Sequence, residues 1–350
     1  MRLIKAAVLK QLGSSLDVVA DIKLPEILCT GQVVVEISLA GICRSQLMEI
    51  SGGRGVDRWL PHMLGHEGVG TVVDIGPGVS RFKIGDPVII SWIKSEGIDS
   101  GGCQLQRSNG EIINAGPATT FSNLSVISEN RLVHRPPGLS DKLAVLMGCA
   151  IPTGYGMVKS ALSDKTVESI CIYGFGGIGF SAFLAALTSG AKKIVVFDRS
   201  IEQLSLLDDI DFERLKAETN VSWSCDYDRL LEVGGFDFVF ESTGSSSGIE
   251  HAFGLSKERG GVCVFASHPP HGERISLDPY DFILGRSLYG TWGGGVDPVR
   301  DIPLFSEEIM STGISFDAAI SEPYPLSMIN EALKAANEPR YSRVLVDVNL

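Results

Sequence analysis

The chain has 350 residues, of which 44% are hydrophobic and 21% charged, a composition typical of a globular protein with roughly two or three domains. It carries 42 acidic and 30 basic residues, and its net charge of −12 argues against nucleic acid or an anionic membrane surface as a partner. Seven cysteines occur without the spacing of a disulfide framework, which favours a reducing compartment and predicts a cytoplasmic protein.

Short β-like runs separated by glycine and proline make up the first part of the chain. Alternating and β-branched residues predict strands over residues 6–10, 32–40, 70–76 and 86–93. We therefore expect this part to be mostly β, with few helices.

An apolar segment, residues 143–162, introduces a different pattern and predicts a helix that is interrupted at Pro152. After it comes a predicted strand over 170–173, a glycine-rich turn and a helix over 180–190 that ends at Gly190. Further strands are predicted over residues 192–198, 236–241, 261–266 and 287–292. Apolar strands that alternate with helices predict a doubly wound parallel sheet, an α/β fold.

The uncharged stretch from Ser169 to Ala191 is long enough to span a bilayer, yet it contains five glycines. We interpret it as a buried strand, a turn and a buried helix rather than as a membrane span. Near the end of the chain, amphipathic patterns predict helices over 301–313 and 326–339, followed by a strand over 341–348.

The turn GFGGIG, residues 174–179, matches the glycine pattern of dinucleotide-binding βαβ units. It follows a predicted strand and opens a predicted helix, and Asp198 ends the next strand 19 residues after Gly179. In such units Gly174 makes the tight turn, Gly176 admits the pyrophosphate and Gly179 lets the helix pack on the strand. A βαβ unit that binds no ligand is the alternative interpretation.

Asp198 indicates which dinucleotide would bind. An acid here accepts hydrogen bonds from the adenosine ribose hydroxyls and repels a 2′-phosphate, which favours NAD over NADP. Arg199, its neighbour, is a weaker signal in the opposite direction. With Gly177 inside the turn, these residues complete the candidate cofactor-binding set of this segment.

Cys43, His66 and Cys149 are the candidate metal ligands. Two thiolates and one imidazole would leave a fourth position open, as in catalytic rather than structural zinc sites. Their spacing carries no information by itself, and a free cysteine is more often a small buried apolar residue. His62 precedes His66 by four residues, but the intervening proline and glycine argue against a helix, so His62 is not expected to be a ligand.

Together these motifs resemble, essentially from end to end, those of the medium-chain zinc alcohol dehydrogenases of the MDR superfamily. The matching segments are GICRS (41–45), LGHEGVG (64–70), GCAIPTGYG (148–156), GFGGIG (174–179) with Asp198, DIPLF (301–305) and SRVLVDV (342–348). The resemblance implies a mostly β, GroES-like catalytic domain over residues 1–155 and an NAD-binding Rossmann domain with a doubly wound parallel sheet over 156–292. It also implies that residues 293–350 return to the catalytic domain.

The resemblance assigns roles around the metal. Cys43, His66 and Cys149 would bind one catalytic Zn²⁺. Glu67 would lie behind them as an acid that can approach the metal, and Ser45 would be the hydroxyl beside the reacting oxygen.

A second group of matching residues would hold the cofactor and the substrate. Arg44 and Arg343 match positions that bind the cofactor pyrophosphate. Thr153 and Ile178 match residues that press on the nicotinamide ring, and Trp92 falls at an aromatic wall of the substrate pocket. An arginine can equally be a solvated charge, and a tryptophan can equally be part of the core.

The chain departs from the family pattern in three places. Residues 95–115, where relatives carry four closely spaced cysteines for a structural zinc, contain only Cys103, so we predict no structural zinc. Met48 stands where many relatives have a histidine that ends a proton relay, and methionine cannot carry a proton. Gln46 replaces an acid that often supports the zinc histidine, so it can accept a hydrogen bond but supplies no charge.

The resemblance implies reversible oxidation of a small-molecule alcohol to an aldehyde or ketone, with hydride transfer to NAD. Three alternatives are a zinc-free reductase of the same superfamily, a polyol or sugar dehydrogenase and a non-catalytic NAD-binding protein. The first lacks the three ligands, and the second usually has an acid where Cys149 stands. A homodimer or homotetramer is expected, in which residues 287–295 pair edge strands across a two-fold axis.

Overall fold

The computed structural model describes residues 2–163, 167–208, 219–315 and 319–350. Up to His134 the described chain consists mostly of β-strands, with one short helix, α1 (Arg44–Ile50), between the third and fourth strands. The strands are β1 (Leu3–Leu9), β2 (Asp17–Lys23), β3 (Gln32–Ile42), β4 (His62–Met63), β5 (Gly68–Ile75), β6 (Pro87–Ile90), β7 (Cys103–Arg107), β8 (Ile112–Ala115), β9 (Leu124–Ser128) and β10 (Leu132–His134).

These strands form two sheets. Strands β1, β2, β7, β8 and β4 close into a small barrel, and the others join a sheet in which β3 pairs with both β5 and β9. Valine and isoleucine dominate β3, as expected for a strand that is buried along nearly its whole length. Because β3 is central, the residue that follows it, Cys43, is held at a defined place inside the molecule.

Two helices, α2 (Asp141–Leu146) and α3 (Ala150–Leu162), take the place of the single interrupted helix that the sequence predicts. The break lies at residues 147–149, and Pro152 sits in the first turn of α3. Proline is tolerated there because the N–H groups of a first turn have no intrahelical partner. The predicted interruption at Pro152 is therefore wrong, and the actual break places Cys149 at the start of α3.

A six-stranded parallel sheet forms the second unit. Its strands are β11 (Ser169–Tyr173), β12 (Lys193–Phe197), β13 (Asn220–Ser224), β14 (Phe238–Glu241), β15 (Val262–Phe265) and β16 (Ser287–Gly290). The helices described with it are α4 (Gly177–Leu187), α5 (Ile201–Leu204), α6 (Tyr227–Leu231), α7 (Ser246–Gly254) and α8 (Pro279–Ile283). The strand order β13-β12-β11-β14-β15-β16 confirms the predicted doubly wound sheet, and it opens a crevice at the carboxyl ends of β11 and β14.

The uncharged stretch that begins at Ser169 is the strand β11, a turn and the buried helix α4, as predicted. Helix α4 is apolar on all sides and packs into the core that joins α3 to the parallel sheet. It ends at Leu187, so Gly190, with φ of +76°, lies in the turn that follows rather than at the helix end. In the part of the chain that the structure describes, no helix is long and apolar enough to cross a membrane.

The last part of the chain brings α9 (Pro298–Thr312), β17 (Tyr324–Pro325), α10 (Ile329–Ala335) and β18 (Val344–Asp347). Helix α9 begins earlier than predicted because Asp297 caps it, and α10 is shorter than the predicted 326–339. Strand β18 pairs antiparallel with β3, so that Val344 lies opposite Ile42. This pairing sets Arg343 next to Cys43.

Candidate active site

Three segments that are far apart in sequence bring Cys43, His66 and Cys149 together. The Sγ atoms of Cys43 and Cys149 are 3.9 Å apart, and one ligand atom from each of the three residues lies within 4.8 Å of the others. Two sulfurs bound at ~2.3 Å to one tetrahedral zinc ion would stand about 3.8 Å apart. His66 Nε2 is buried and has no hydrogen-bond partner among the described residues. The donor set and its spacing therefore fit Zn²⁺.

We call the place where Cys43, His66 and Cys149 meet the metal corner. Local backbone geometry explains how two of these residues reach it. Gly65 has φ of +94°, and a Cβ there would lie 2.3 Å from Thr120 Oγ1, so only glycine allows the turn before His66. Gly148 precedes Cys149, and a Cβ at this position would lie 2.3 Å from Ile90 O. Close backbone approach thus positions the imidazole and the second thiol.

Cys43 is fixed by the start of α1. Its backbone N–H donates to Gln46 Oε1 at 2.9 Å, which closes the first turn of the helix. The glutamine that replaces the family's acid therefore engages the backbone of a candidate ligand. Its Nε2 has no hydrogen-bond partner among the residues described.

The two thiols differ in acidity. The pKa of Cys43 lies well below the usual range because Cys149 donates a hydrogen bond to it, and the charges of Arg343 and His66 support the thiolate against the effect of burial. The same hydrogen bond, together with burial, raises the pKa of Cys149. The corner therefore favours one thiolate before any metal binds, and the thiolate is the form that coordinates metals.

Glu67 and Arg343 form a buried pair behind the thiols. Glu67 Oε1 lies 3.4 Å from Arg343 Nη1, and Arg343 Nη1 also donates to Ile42 O at 3.0 Å. Burial raises the pKa of Glu67 to about 7, although the charge of Arg343 opposes the shift. Arg343, expected at the cofactor pyrophosphate, thus also supplies positive charge to the metal corner.

A cleft of about 1750 Å³ extends from this corner to the carboxyl ends of the parallel strands. Pockets for small molecules usually have volumes of about 300–1,000 Å³, so this cleft has room for a dinucleotide together with a substrate. Cys43, His66 and Cys149 line one part of it, and Gly174 and Asp198 line another.

The glycine turn is built as a dinucleotide site requires. Gly174 has φ of +95°, and a Cβ at Gly179 would lie 1.8 Å from Gly174 O, so the helix can approach the strand only without a side chain. A Cβ at Gly176 would meet nothing within 4 Å, which leaves space above the turn for a pyrophosphate. Gly177 opens α4, whose N-terminus attracts negative charge.

Asp198 lies directly beside this turn. Its Oδ2 accepts a hydrogen bond from Phe175 N at 2.7 Å and its Oδ1 accepts one from Ser200 N at 3.0 Å. Both bonds come from backbone groups, so the carboxylate is fixed and keeps lone pairs for ribose hydroxyls. Arg199 and Arg44 are exposed and line the same cleft.

Thr153 and Ile178 approach the metal corner through the packing of α3 on α4. A Cβ at Gly154 would lie 2.1 Å from Ile178 O, so glycine brings the two helices into contact. Thr153 Oγ1 donates to Cys149 O at 2.8 Å. Both residues line the cleft, and the resemblance places the nicotinamide end of a dinucleotide against them.

The substrate side holds a hydroxyl and two indole rings. Ser45 Oγ is buried and has no hydrogen-bond partner in the described parts of the chain. Trp92 meets Trp292 edge to face, with ring centroids 5.0 Å apart. Trp92 is the aromatic residue that the sequence predicts here, whereas the spacing of the two residues gives no signal for its contact with Trp292.

Glu49, Asp57 and His62 form a second group of potential metal ligands that the sequence does not predict. His62 Nε2 lies 2.8 Å from Asp57 Oδ2 and 4.0 Å from Glu49 Oε1. His62 begins strand β4 and does not join the corner formed by Cys43, His66 and Cys149.

A buried acid on the parallel sheet was not anticipated either. Glu241 ends β14, where its Oε1 accepts hydrogen bonds from Thr243 N at 2.6 Å and from Thr243 Oγ1 at 2.5 Å. Its Oε2 is without a hydrogen-bond partner among the described residues. Burial raises the pKa of Glu241 to about 7.

Two sequence families match the chain. Residues 30–137 match the family described as "Alcohol dehydrogenase GroES-like domain", and residues 177–309 match "Zinc-binding dehydrogenase". These matches, with the sheets described above, confirm the predicted combination of a GroES-like, mostly β domain and a Rossmann sheet.

Similar proteins cover the chain almost completely. The class-3 alcohol dehydrogenase of Drosophila melanogaster is 25% identical over 342 residues, which is 90% of each chain. The S-(hydroxymethyl)glutathione dehydrogenase of Escherichia coli O139:H28 is 26% identical over 380 aligned positions that cover 98% of this chain and 99% of the relative. In fold, the chain resembles the benzyl alcohol dehydrogenase of Acinetobacter calcoaceticus, with a TM-score of 0.84, 24% identity and coverage of 99% and 100%.

Proposed function

Because the chain belongs to the zinc-dependent alcohol dehydrogenases of the medium-chain family, we propose that it interconverts an alcohol and an aldehyde or ketone with NAD as the hydride carrier. The observation that carries the proposal is the position of two thiols and an imidazole in the same cleft as a dinucleotide turn. In such a cleft, the hydroxyl carbon of one substrate would lie near both the three candidate ligands and the hydride acceptor.

We propose a single catalytic zinc ion. Cys43, His66 and Cys149 would hold it and leave one coordination position toward the cleft. When bound, zinc would act as a Lewis acid that lowers the pKa of a substrate hydroxyl and polarises a carbonyl. Among the described residues, Cys103 on β7 joins no group of potential ligands, which argues against a structural zinc site built on this cysteine.

The cofactor would be bound by the turn and by the strand that follows it. The backbone at Gly174, Gly176, Gly177 and Gly179 would surround the pyrophosphate, and Asp198 would accept bonds from the adenosine ribose. Arg44, Arg199 and Arg343 would supply charge along the phosphates. Thr153 and Ile178 would fix the face of the nicotinamide toward the metal corner.

Proton transfer would begin at Ser45. Its Oγ has no other partner among the described residues and lies two residues after Cys43, so it can accept the proton of a substrate hydroxyl. Met48 lines the cleft but has no exchangeable proton. The proton would therefore leave through the cofactor ribose and water.

The other candidate functions have weaker support. A zinc-free reductase would not need the three ligands, and a polyol dehydrogenase would usually have an acid at the position of Cys149. The paired indoles at Trp92 and Trp292 favour a bulky apolar alcohol over a sugar. A protein that only binds NAD would have no use for Ser45 beside a complete ligand set.

We also propose a compartment and an assembly. The seven cysteines are free, which fits the reducing cytoplasm.

Strand β16 lies at an edge of the parallel sheet, and Ile283 and Tyr289 are exposed near it. We propose that this edge pairs with the same edge of a second copy in a homodimer or homotetramer. Size-exclusion chromatography with light scattering would test this by measuring the molar mass in solution.

One experiment tests the activity. The purified protein is analysed for metals and assayed with NAD against a panel of aliphatic, aromatic and sugar alcohols. We expect about one zinc per chain and an alcohol-dependent rise in NADH absorbance with apolar alcohols. A protein that binds NADH and zinc but oxidises no alcohol and reduces no aldehyde would contradict the proposal.

A further inference from the structure

Arg131 is a buried cation in the wall of the cleft, and it has no acidic partner among the residues that the structure describes. It ends a short 3₁₀ turn after β9, is 9% exposed and lines the cleft. Its Nη1 donates to the carbonyl oxygen of Trp92. Within the described parts of the chain, no carboxylate oxygen lies within 4.0 Å of its guanidinium nitrogens, and Nε has no hydrogen-bond partner.

Two other cations that line this side of the cleft are paired with acids. Arg54 Nη1 lies 3.8 Å from a Glu49 oxygen, and Lys94 Nζ lies 2.6 Å from Asp99 Oδ2. Asp99 is also the acid whose charge acts on Arg131, and it is already engaged by Lys94. A buried charge without a counter-charge is costly, and an anionic ligand would remove that cost.

Two hydrogen bonds connect Arg131 to the reaction centre. Arg131 contacts the backbone of Trp92, and the preceding residue, Ser91, donates through Oγ to Gly148 O at 2.9 Å. Gly148 is next to Cys149, one of the candidate metal ligands. The guanidinium and the three candidate ligands therefore line one cleft and are connected through neighbouring backbone segments of its wall.

We propose that Arg131 binds a carboxylate of the substrate, which defines the substrate as an alcohol with an apolar, planar body and an acidic group. The body packs on Trp92 and Trp292, and the acid pairs with the guanidinium, whose fork of donors matches a carboxylate. This inference rests on the proposed alcohol dehydrogenase function and specifies its substrate class.

A matched pair of substrates tests the proposal in the unmodified enzyme. 4-(Hydroxymethyl)benzoate and its methyl ester share one ring and one hydroxyl, but only the first carries a charge. We expect kcat/KM to be roughly ten- to a hundredfold higher for the acid, with the 3-isomers as a second pair that places the acid differently. Equal values, or higher values for the ester, in both pairs would overturn the proposal.

Variants separate Arg131 from general charge effects. Arg131→Gln should abolish the preference for the acid over the ester, and Arg131→Lys should keep part of it. Arg135→Gln removes an arginine of the same segment that is paired with Asp141 and does not line the cleft, so the preference should persist. A preference that survives in Arg131→Gln would assign the acid to another group and overturn the inference.

Binding gives a readout that does not depend on turnover. Calorimetric titration of 4-(hydroxymethyl)benzoate into the protein with NADH, which cannot accept a hydride from the alcohol, should show binding that is lost in Arg131→Gln. If Arg131→Gln does not fold, the acid and ester pair and Arg131→Lys decide the matter in folded proteins. Turnover of the ester without preference for the acid would refute this inference alone, whereas acid binding without any alcohol turnover would refute only the proposed function.

Discussion

The two walls of the cleft hold their functional groups in different ways. On the parallel sheet, residues 174–179 form the dinucleotide turn from one continuous segment, and Asp198 stands at the end of the adjacent strand. On the opposite wall, Cys43, His66 and Cys149 come from three separate segments. The turn depends on local backbone geometry, whereas the metal corner depends on the whole β-rich unit.

Each wall also contains a fully buried glutamate, and the two have different surroundings. Burial raises the pKa of both Glu67 and Glu241 to about 7. Glu67 faces the cation Arg343, whereas Glu241 accepts its hydrogen bonds from neutral groups, the backbone N–H and the hydroxyl of Thr243. On the wall that holds the metal ligands, Arg343 thus offsets the negative charge of Glu67. On the wall that holds the dinucleotide turn, Glu241 has no such counter-charge among the described residues.

The difference between the walls is tested most strongly by Cys149→Ala. Loss of one thiolate leaves two protein ligands, so zinc should be lost and turnover should fall by about a thousandfold or more, because the Lewis acid is removed. NADH binding should persist, since the turn on the other wall does not use this residue. Elemental analysis, initial rates and fluorescence titration with NADH measure the three quantities.

Cys263→Ala is the matched control for this variant. Cys263 is a buried thiol of β15 and belongs to neither group of potential ligands among the described residues. It should keep zinc and activity. Zinc retained at full occupancy in Cys149→Ala would show that the metal corner has been assigned wrongly.

On the cofactor wall, two glycines separate the effects of fold and binding. A Cβ at Gly179 would lie 1.8 Å from Gly174 O, so Gly179→Ala should open the turn, lower the thermal midpoint and weaken NADH binding by more than about tenfold. A Cβ at Gly176 would meet no atom within 4 Å, so the Gly176→Ala variant should fold normally. Its methyl group would, however, occupy the space proposed for the pyrophosphate. Unchanged NADH affinity in Gly176→Ala would contradict the proposed cofactor position.

The same contrast decides how much could be predicted from the sequence. The turn at Gly174 could be recognised because its glycines lie close together in one segment, 174–179, with the spacing that a dinucleotide turn requires. The candidate ligands Cys43 and Cys149 are 106 positions apart, so their spacing does not indicate that they meet. Only the resemblance to a known family predicts that both bind one metal ion. The position of Arg131 beside Trp92 depends on the pairing of β6 with β10, and no spacing in the sequence indicates it.

The cofactor preference is a smaller effect on the same wall. Asp198→Ala removes the charge that would repel a 2′-phosphate, so the ratio of kcat/KM for NAD over NADP should fall by roughly ten- to a hundredfold. Steady-state kinetics with both cofactors measure the ratio. A preference that does not change would mean that other groups near Arg199 exclude the phosphate.

The smallest effect concerns stability and the buried acid of the cofactor wall. In the folded state the pKa of Glu241 is about 7, above the value of 4.5 for a free glutamate, so folding favours the neutral form. The stability that the neutral form contributes is complete below about pH 4.5 and is lost as the pH rises through about 7. Glu241→Gln keeps an uncharged side chain at every pH, so its advantage over the unmodified protein should be about 2 kcal/mol larger near pH 8.5 than near pH 5.5.

Urea denaturation of the two proteins at both pH values measures this difference, and Glu258→Gln provides the control because Glu258 is exposed. The comparison between variants cancels the general effect of pH on an acidic protein, which acts equally on both. A pH-independent difference would show that the Glu241 carboxylate is stabilised in the folded state as well as it is in water. The contrast with Glu67, where Arg343 supplies the counter-charge, would then no longer distinguish the two walls.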